Sequence, residues 1–388
     1  MNILFYIDFP FKLNTGGVQR STHKMAQLFE RKGHQCVILN RDIGEESKLV
    51  DGLEVLSICN MEDSLEEQRY KDYLSQYNID VVINQMGSDL RVTNFLYKNK
   101  GARVKLVSTL RMNPKNFADN LKDILKVELQ KKNVVFFNTG LLRQFVLIYH
   151  RIKQALILSS IIKKSDYFVL LNKNFIPELK YFGIDTRKNA QKLKAIPNLF
   201  SPVKSDVSKK QNIILYVGRL SRNQKRTDLL MKIWKDLHVQ LSDWEFLVVG
   251  DGEDKSWMKA YAERHKLERI KFLGSQDPEL YYRKAKILSF TSAYEGFGNV
   301  LVEAQQHGVV PVMFNSYSAA PEIVVDNTSG FQIKPFDCVE YSKKTSLLAI
   351  DVELWKNLAN GAELQAKKFE EEEVYKLWEE LLTPLQVR

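Results

Sequence analysis

The chain has 388 residues, 44% of them hydrophobic, which is enough for two domains of roughly 150 to 200 residues, each with its own core. Its three cysteines are odd in number and far apart, so neither a disulfide framework nor a zinc site with paired spacing is indicated, and a reducing cytoplasm is expected. The formal net charge of +10 comes from residues 1–198, where 31 Lys and Arg face 20 Asp and Glu, so this half is expected to meet anions.

The first predicted elements are a strand, a glycine loop, a helix and a second strand. The strand covers residues 3–7, the loop contains Gly16 and Gly17, the helix runs to about Lys32, and the second strand covers residues 36–40. Neither a basic leader nor a run of about 18 uncharged apolar residues is found. We therefore expect a chain that is neither secreted nor membrane-spanning.

Strands and helices then alternate through the whole chain. The first half has further predicted strands at 53–58, 80–84, 104–108 and 167–171, and helices at 64–77, 89–98 and 117–130. The second half has predicted strands at 211–218, 244–250, 270–274, 287–291 and 308–312, and helices at 227–241, 255–265, 278–285 and from about 299. Such alternation is typical of doubly wound parallel sheets flanked by helices.

The proline-bounded segment 197–210 is the natural linker between two such sheets. We predict one domain over residues 1–198, a second over 199–365, and a C-terminal helix within 366–388 that crosses back to the first domain. Ligands of these sheets bind beyond the carboxyl ends of the strands, which predicts a site in the cleft between the domains.

Residues 295–303 read Glu-Gly-Phe-Gly-Asn-Val-Leu-Val-Glu between a predicted strand and a helix. The first turn of a helix leaves amide donors unpaired and carries partial positive charge, so the amides of 297–299 are expected to face a diphosphate. Glu295 precedes the helix and suits a sugar ring, whereas Glu303 lies one turn deeper and suits a ribose. The alternative is that both carboxylates only improve the helix start.

Arg219 and Lys225 follow the predicted strand 211–218, at the edge where a phosphate is expected. Arginine can engage phosphate oxygens in a forked pair and lysine adds a point charge. Together they could hold a diphosphate leaving group and offset the charge that develops on it. Ordinary solvated surface cations are the alternative.

These motifs occur in an order that resembles the retaining glycosyltransferases of family 4. The resemblance rests on 218–220 (Gly-Arg-Leu) with Lys225, on 249–252, 272–274, 295–298, Glu303 and 321–324, and more weakly on Gly16–Gly17, 165–171 and 196–198. It implies the GT-B architecture, an α/β fold in which two Rossmann-like, doubly wound parallel-sheet domains face a central cleft. It also implies sugar transfer from a nucleoside diphosphate to an acceptor hydroxyl with the anomeric configuration retained.

The resemblance assigns roles to individual residues. Arg219 and Lys225 would bind the donor diphosphate and Glu295 would contact hydroxyls of the donor sugar, and all three would take part in catalysis. Glu303 would hold the ribose. The remaining donor-binding positions are glycines and backbone amides: Gly16, Gly17, Gly218, Gly250, Gly274, Gly296, Phe297, Gly298, Asn299 and Val300. The nucleotide base is expected near Gly250 and residues 271–275.

Arg111 departs from the family pattern, in which a histidine often follows the fourth strand of the first domain. We expect Arg111 to act as a catalytic residue that serves the acceptor or the donor phosphate. A surface position is the alternative. No cofactor is expected besides the nucleotide sugar, for which UDP is favoured. The chain has no Asp-x-Asp, so no bridging metal is predicted.

Residues 129–164 contain seven Lys and Arg and no acidic residue. Within them Phe145, Ile148, Ile152 and Leu156 recur at helical spacing, which predicts a basic helix with a broad apolar surface. One interpretation is a peripheral contact with an anionic membrane on its cytoplasmic face, and the other is ordinary core packing. Nucleic acid is not an expected partner, because no binding motif accompanies the charge.

The expected function is thus transfer of a hexose or N-acetylhexosamine to a glycan or lipid-linked acceptor in surface polysaccharide synthesis. A soluble transferase that acts on small molecules or proteins and a catalytically silent adapter at a membrane surface are the alternatives. A dinucleotide oxidoreductase is disfavoured, because G-x-G-x-x-G is absent after the first strand and the second strand ends at Asn40 rather than at an acidic residue.

Overall fold

The computed structural model describes residues 1–13, 16–43, 47–121 and 140–385. The strands are β1 (Asn2–Ile7), β2 (Gln35–Arg41), β3 (Ser47–Val50), β4 (Leu53–Ile58), β5 (Val81–Asn84), β6 (Lys105–Leu110), β7 (Tyr167–Leu170), β8 (Leu193–Ala195), β9 (Gln211–Val217), β10 (Glu245–Val249), β11 (Ile270–Gly274), β12 (Ala285–Phe290), β13 (Val310–Phe314) and β14 (Phe331–Ile333). The helices are α1 (Gly17–Arg31), α2 (Ser64–Gln76), α3 (Leu90–Asn99), α4 (Gly140–Lys164), α5 (Phe175–Glu178), α6 (Arg222–Lys225), α7 (Thr227–Leu237), α8 (Lys255–Arg264), α9 (Glu279–Tyr282), α10 (Asn299–Gln306), α11 (Ala320–Ile323), α12 (Cys338–Ile350), α13 (Val352–Ala366) and α14 (Glu371–Leu382).

These elements form two compact units. The first contains Met1–Ala118, the chain from α4 to Leu199, and the chain from Glu371 onward, and the second contains Phe200–Glu370 with the described residues from Asp119 to Leu121. The predicted boundaries are 198/199 and 365/366, and the units divide at 199/200 and 370/371. Phe200 explains the difference: its N–H donates to Phe369 O at 2.9 Å and it forms a β-bridge with Glu370, which ties the residues after α13 to the second unit.

The first unit is built on an eight-stranded sheet. Its strand order is β3-β4-β2-β1-β5-β6-β7-β8, with every pair parallel except the antiparallel β3 and β4. Alternate residues of β1 enter the two cores: Phe5 packs with one face of the sheet, and Leu4 and Tyr6 pack with the other. The doubly wound arrangement predicted from the sequence is therefore confirmed for this unit.

The last helix, α14, belongs to the core of the first unit. Tyr375 and Trp378 are 7% and 2% exposed, and both rings lie edge-on against Phe29 of α1 at centroid distances of 5.7 and 5.9 Å. Arg31 adds an exposed ion pair with Glu371 at the start of α14. The end of the chain thus covers the same face of the sheet as the first helix.

The second unit has a six-stranded sheet in the order β11-β10-β9-β12-β13-β14, all parallel. Trp234 of α7 and Phe246 of β10 are among its most buried side chains, with ring centroids 5.3 Å apart. The Rossmann-like fold class predicted for this half is also confirmed. Because all six strands are parallel, their carboxyl ends lie at one edge, where a ligand is expected.

The structure has short strands that the sequence did not predict. The antiparallel β3 and the three-residue strands β8 and β14 were not predicted, because each is too short to show a hydrophobic period. The helix predicted at 117–130 lies mostly outside the described residues. Within the part of the chain that the structure describes, Arg143–Lys164 of α4 is long and apolar enough to cross a membrane, although core helices and signal sequences satisfy the same criterion. It contains Arg151 and Lys153, which explains why no uncharged run was found in it.

Candidate active site

Three glycines, Gly218, Gly250 and Gly274, form a glycine surface at the carboxyl ends of β9, β10 and β11. Gly250 N donates to Gly274 O at 2.7 Å, and Gly218 N donates to Val249 O at 3.0 Å. A Cβ on Gly250 would lie 1.9 Å from Gly218 O, and Gly218 and Gly250 have φ of 154° and 137°. Glycine is therefore required at position 250, and the bare backbone allows a ligand to approach closely.

Lys225 and Glu295 meet beside this glycine surface. Lys225 Nζ lies 2.5 Å from Glu295 Oε1, and the two side chains are 13% and 11% exposed. Their loops are joined by hydrogen bonds from Thr291 Oγ1 to Lys225 O at 2.7 Å and from Ala293 N to Gln224 O at 2.7 Å. The structure thus brings together two residues that lie 70 positions apart in the sequence.

Arg219 lies next to this pair but is exposed to solvent. Its Nη2 donates to Gln224 Oε1 at 3.3 Å, and its carbonyl oxygen accepts from Tyr216 OH at 2.9 Å. Across the described ranges no carboxylate forms an ion pair with Arg219. Its guanidinium is accordingly available to an external anion.

The Gly-Phe-Gly loop before α10 is fixed by aromatic packing. Phe297 is buried, with its ring stacked on Phe200 at 6.5 Å and edge-on to Phe369 at 5.5 Å. Gly298 has φ of 102°, and a Cβ there would lie 2.5 Å from the hydroxyl oxygen of Tyr317, which donates to Phe297 O at 3.3 Å. The turn that starts α10 at Asn299 therefore depends on glycine at position 298.

Glu303 of α10 accepts a hydrogen bond from a tyrosine that sequence reasoning missed. Tyr282 OH donates to Glu303 Oε2 at 3.0 Å, and the Tyr282 ring stacks on His307 at 5.7 Å. Burial lowers the pKa of His307 to about 4, and burial also lowers the pKa of the nearby Lys210 to about 7. Glu303, the residue predicted to hold the ribose, is thus oriented by Tyr282 of α9, and no local motif indicates this contact.

Tyr216 and Tyr317 were also missed by sequence reasoning. Burial raises the pKa of both hydroxyls, and the negative charge of Glu295 raises it further. Both side chains therefore stay neutral and act as hydrogen-bond donors that hold the backbone around Arg219 and Phe297. Neither belongs to a sequence motif: Tyr216 reaches the carbonyl of Arg219 three residues on, and Tyr317 reaches that of Phe297 from 20 residues away.

Gly16 and Gly17 lie in the first unit, at the start of α1. They line a cavity of about 390 Å³ together with Phe9, Pro10, Lys12, Val18 and Gln19. Gln19 Nε2 donates to Pro10 O at 2.9 Å, which holds the loop after β1 against the helix. The two predicted glycines thus line this cavity, and their approach to a ligand stays a prediction.

Arg111 also lies in the first unit, after β6. Nε donates to Gln85 Oε1 at 2.7 Å and Nη1 donates to Asn198 Oδ1 at 2.7 Å, so the surface alternative is wrong for the guanidinium. Burial lowers the pKa of Arg111 to about 10, which still leaves it charged at neutral pH.

The apolar side chains of α4 are exposed, which overturns the core-packing interpretation for that face. The exposed fractions are 72% for Phe145, 56% for Ile148, 67% for Tyr149, 57% for Ile152 and 69% for Leu156. At 100° per residue these five side chains share one side of the helix. The predicted cations Lys131 and Lys132 lie outside the described residues.

Comparison with known families assigns the second unit. Residues 199–365 match the model of the family described as glycosyl transferases group 1. We refer to this matched region as the group 1 domain. It contains Arg219, Lys225, Glu295 and Glu303 together with the three glycines at the strand ends.

Curated relatives match part of the chain. The amylovoran biosynthesis glycosyltransferase AmsD of Erwinia amylovora is 30% identical over 177 residues, which cover 45% of this chain and 49% of AmsD. An α-1,4-N-acetyl-D-galactosaminyltransferase of Campylobacter jejuni, whose name specifies a diphospho-undecaprenol-linked acceptor, is 29% identical over 175 residues, 45% of this chain and 48% of the relative. The chain spans about half the length of these curated relatives.

Solved structures match the whole fold. HepE of Anabaena in complex with UDP superposes with a TM-score of 0.72 at 18% identity, covering 99% of this chain and 100% of HepE. The lipopolysaccharide outer core galactosyltransferase WaaB superposes with a TM-score of 0.71 at 16% identity and 99% coverage of both chains. Both units of this chain, with the group 1 domain as the second, thus follow the GT-B fold.

Proposed function

We propose that this chain is a retaining, metal-independent glycosyltransferase that takes its sugar from a nucleoside diphosphate. The observation that carries the proposal is the Lys225–Glu295 pair beside the glycine surface in the group 1 domain, with Arg219 exposed next to it. The two cations suit the donor diphosphate, and Glu295 suits the hydroxyls of the donor sugar. Metal independence rests on the absence of Asp-x-Asp from the sequence.

In the proposed reaction the bond between the anomeric carbon and the diphosphate oxygen breaks, and the acceptor oxygen bonds to that carbon on the same face. The acceptor proton passes to an oxygen of the departing phosphate, so the protein supplies no nucleophile. Arg219 and Lys225 stabilise the charge that accumulates on the diphosphate, and the helix start at Asn299 adds partial positive charge. Glu303 and the Tyr282 hydroxyl hold the ribose.

The donor proposed is a UDP-sugar, carrying a hexose or N-acetylhexosamine. Its support is that HepE, which shares the fold, binds UDP and UDP-glucose. A thermal-shift panel of UDP, GDP and ADP sugars tests it, because a ligand at 100 times its Kd stabilises by about 2.7 kcal/mol. We expect UDP-sugars to raise the unfolding temperature of the wild type and of the surface control Lys356→Ala, but not that of Lys225→Ala. No rise with any nucleotide sugar would contradict the proposal.

The acceptor proposed is a glycan or a lipid-linked intermediate of surface polysaccharide synthesis. Relatives named for such pathways support it, among them AmsD and the Campylobacter jejuni transferase for a diphospho-undecaprenol-linked acceptor. A peptide acceptor is the second candidate, because a UDP-N-acetylglucosamine–peptide N-acetylglucosaminyltransferase subunit of Limosilactobacillus reuteri is 26% identical over 182 residues. Nucleoside diphosphate release with lipid-linked glycans, but not with peptides, distinguishes the two. Release with neither would favour the silent adapter.

We also propose that the exposed face of α4 contacts an anionic membrane on the cytoplasmic side. The face is apolar along Phe145, Ile148, Tyr149, Ile152 and Leu156, and residues 140–164 carry five cations and no carboxylate. Each cation near an anionic leaflet contributes about 1 kcal/mol of attraction. An acceptor carried by a lipid would then lie on the same surface as the enzyme.

Vesicle sedimentation tests the membrane contact. The chain is expected to sediment with vesicles that contain phosphatidylglycerol and to remain in solution with pure phosphatidylcholine. Phe145→Asp and Ile152→Asp should each abolish sedimentation, because a carboxylate opposes burial in the lipid and repels anionic headgroups. Val239→Asp is the control, since Val239 is an equally exposed apolar residue of the second unit. Equal recovery with both vesicle types would remove the membrane proposal.

A further inference from the structure

The carboxyl ends of four neighbouring strands in the first unit carry polar side chains that the proposed donor site does not use. Gln85 follows β5, Arg111 follows β6, Asn172 lies just beyond β7, and Asn198 lies just beyond β8. These strands are adjacent and parallel in the sheet. Their side chains therefore share the edge at which ligands of such sheets bind.

Arg111 is held at this edge by neutral groups. Its Nε and Nη1 donate to the amide oxygens of Gln85 and Asn198, both at 2.7 Å. The loop carrying Gln85 packs tightly over β6, because Gly87 N donates to Thr109 O at 3.0 Å and a Cβ on Gly87 would lie 2.6 Å from that oxygen. Among the residues that the structure describes, no carboxylate pairs with Arg111. Its positive charge is thus positioned but not neutralised.

Several donors at this edge have no acceptor. Arg111 Nη2, Gln85 Nε2 and Asn172 Nδ2 are buried and make no hydrogen bond within the described chain. Gln85 and Asn172 are 2% and 3% exposed. Buried polar groups in folded proteins are nearly always paired, so a cluster of unpaired ones needs an explanation. Since all three are donors, the missing partner is an acceptor.

The opposite face of the same strand ends shows no such deficit. Asn84 Nδ2 donates to Thr93 Oγ1 at 3.2 Å, and Ser165 Oγ donates to Ser108 Oγ at 2.8 Å. Asn84 directly precedes Gln85, and Ser108 lies in the strand that precedes Arg111, but both side chains point to the other side of the sheet. The incomplete hydrogen bonding is therefore confined to the side that carries the arginine.

We infer that Arg111 and Gln85 bind an oxyanion of the glycosyl acceptor, either a phosphate or a carboxylate. An oxyanion neutralises the guanidinium and offers lone pairs to the unpaired donors of Arg111 and Gln85, whereas a neutral sugar hydroxyl would leave the charge uncompensated. The inference rests on the proposed function, because it names the chemical class of that acceptor. The two sources of such a group are the diphosphate of a lipid-linked glycan and the carboxylate of an acidic sugar.

Binding by the full chain with Arg219→Ala and Lys225→Ala tests the inference, because these changes remove the cations of the donor diphosphate site. Calorimetric titrations with pyrophosphate, glucuronate and glucose are compared. Pyrophosphate or glucuronate is expected to bind and glucose is not. Adding Arg111→Gln should weaken the binding by about tenfold or more, since a charged hydrogen-bond donor is lost. Arg111→Lys, which keeps the charge but not the planar fork, should retain part of it.

The identity of the bound probe separates the sources: pyrophosphate alone indicates a phosphate, and glucuronate alone indicates a sugar carboxylate. Binding of neither, or equal binding by the Arg111→Gln and Arg111→Lys variants and their parent, would overturn the inference. A second readout excludes a purely structural role: without ligand, Arg111→Gln should unfold at the same temperature as its parent or a higher one. Nucleotide-sugar binding by the wild-type chain is measured separately, so its failure would count against the proposed function alone.

Discussion

Lys225 Nζ lies 2.5 Å from Glu295 Oε1, and both side chains have little exposure. Each side chain is therefore positioned by the other, and the proposed donor would contact both. We expect Lys225→Ala and Glu295→Ala each to lower turnover by roughly 10²- to 10³-fold, because each removes a contact to the transition state. The double variant should be little worse than either single variant, since residues in contact are not additive.

Steady-state measurement of nucleoside diphosphate release checks this prediction. Lys356→Ala is the control, because Lys356 forms an exposed ion pair with Glu353 on α13 and should keep wild-type turnover. Turnover of either site variant within about twofold of the wild type would show that the pair is structural.

His307 makes the stability of the second unit depend on pH. Its side chain is 4% exposed, and burial lowers its pKa to about 4, below the ordinary value of 6.5. A depressed pKa means that the unfolded chain binds the proton first, so stability is present above pH 6.5 and is lost as the pH falls toward 4. The loss by pH 4.5 should be about 2 kcal/mol.

Urea unfolding at several pH values measures this loss. His307→Phe keeps a ring stacked on Tyr282 but cannot take a proton, so its free energy of unfolding should change less than that of the wild type between pH 6.5 and 4.5. His238→Phe, at the half-buried end of α7, is the control and should follow the wild type. Parallel curves for His307→Phe and the wild type would contradict the assignment.

At the scale of elements, the glycine surface depends on close packing of strand ends. Gly250→Ala would place a Cβ 1.9 Å from Gly218 O at a φ of 137°, so the ends of β9 and β10 must separate. We expect a loss of about 2–4 kcal/mol in the free energy of unfolding and weaker nucleotide binding. Gly183→Ala shares a positive φ of 74° but meets no atom within 4 Å, so it isolates the backbone strain and should cost about 1 kcal/mol. Equal losses in the two variants would show that close packing at position 250 is unimportant.

The sequence predicted those elements whose residues carry a local signal. β9, β10 and β12 are buried runs before glycine or polar turns, and α10 follows Gly298, so the β-α-β unit around Glu295 could be located from the sequence. The three-residue strands and the antiparallel β3 could not, because their positions are set by neighbours in the sheet rather than by a period of their own.

Those residues of the candidate site that carry a local signal could also be predicted from the sequence. The glycines and charged residues lie at strand ends, which the alternating pattern locates. Tyr282 and Tyr317 could not be found, because they reach Glu303 and Phe297 from 21 and 20 residues away and belong to no motif. The unpaired donors around Arg111 could not be found either, because they come together only when four strands lie side by side in the sheet.

At the scale of the whole molecule, the end of the chain completes the core of the unit that begins it. Val374, Tyr375, Trp378, Leu381 and Leu382 of α14 are buried against the first sheet and α1. Removing the chain from Glu371 onward would expose that face of the sheet to water. The first unit is therefore expected to require both ends of the chain for folding, although they are distant in sequence.

Trp378→Ala tests this dependence with a single change. Trp378 is 2% exposed and packs edge-on against Phe29, so truncation should cost about 3–5 kcal/mol through lost burial and the cavity left behind. Lys376→Ala on the exposed side of the same helix, where Lys376 pairs with Glu373, should change the free energy of unfolding by less than about 0.5 kcal/mol. Urea unfolding, monitored by far-ultraviolet circular dichroism rather than by tryptophan fluorescence, compares the two variants with the wild type. If Trp378→Ala and Lys376→Ala unfolded at the same urea concentration, α14 would be a peripheral addition rather than part of the core, because loss of a buried indole from a packed core cannot be neutral.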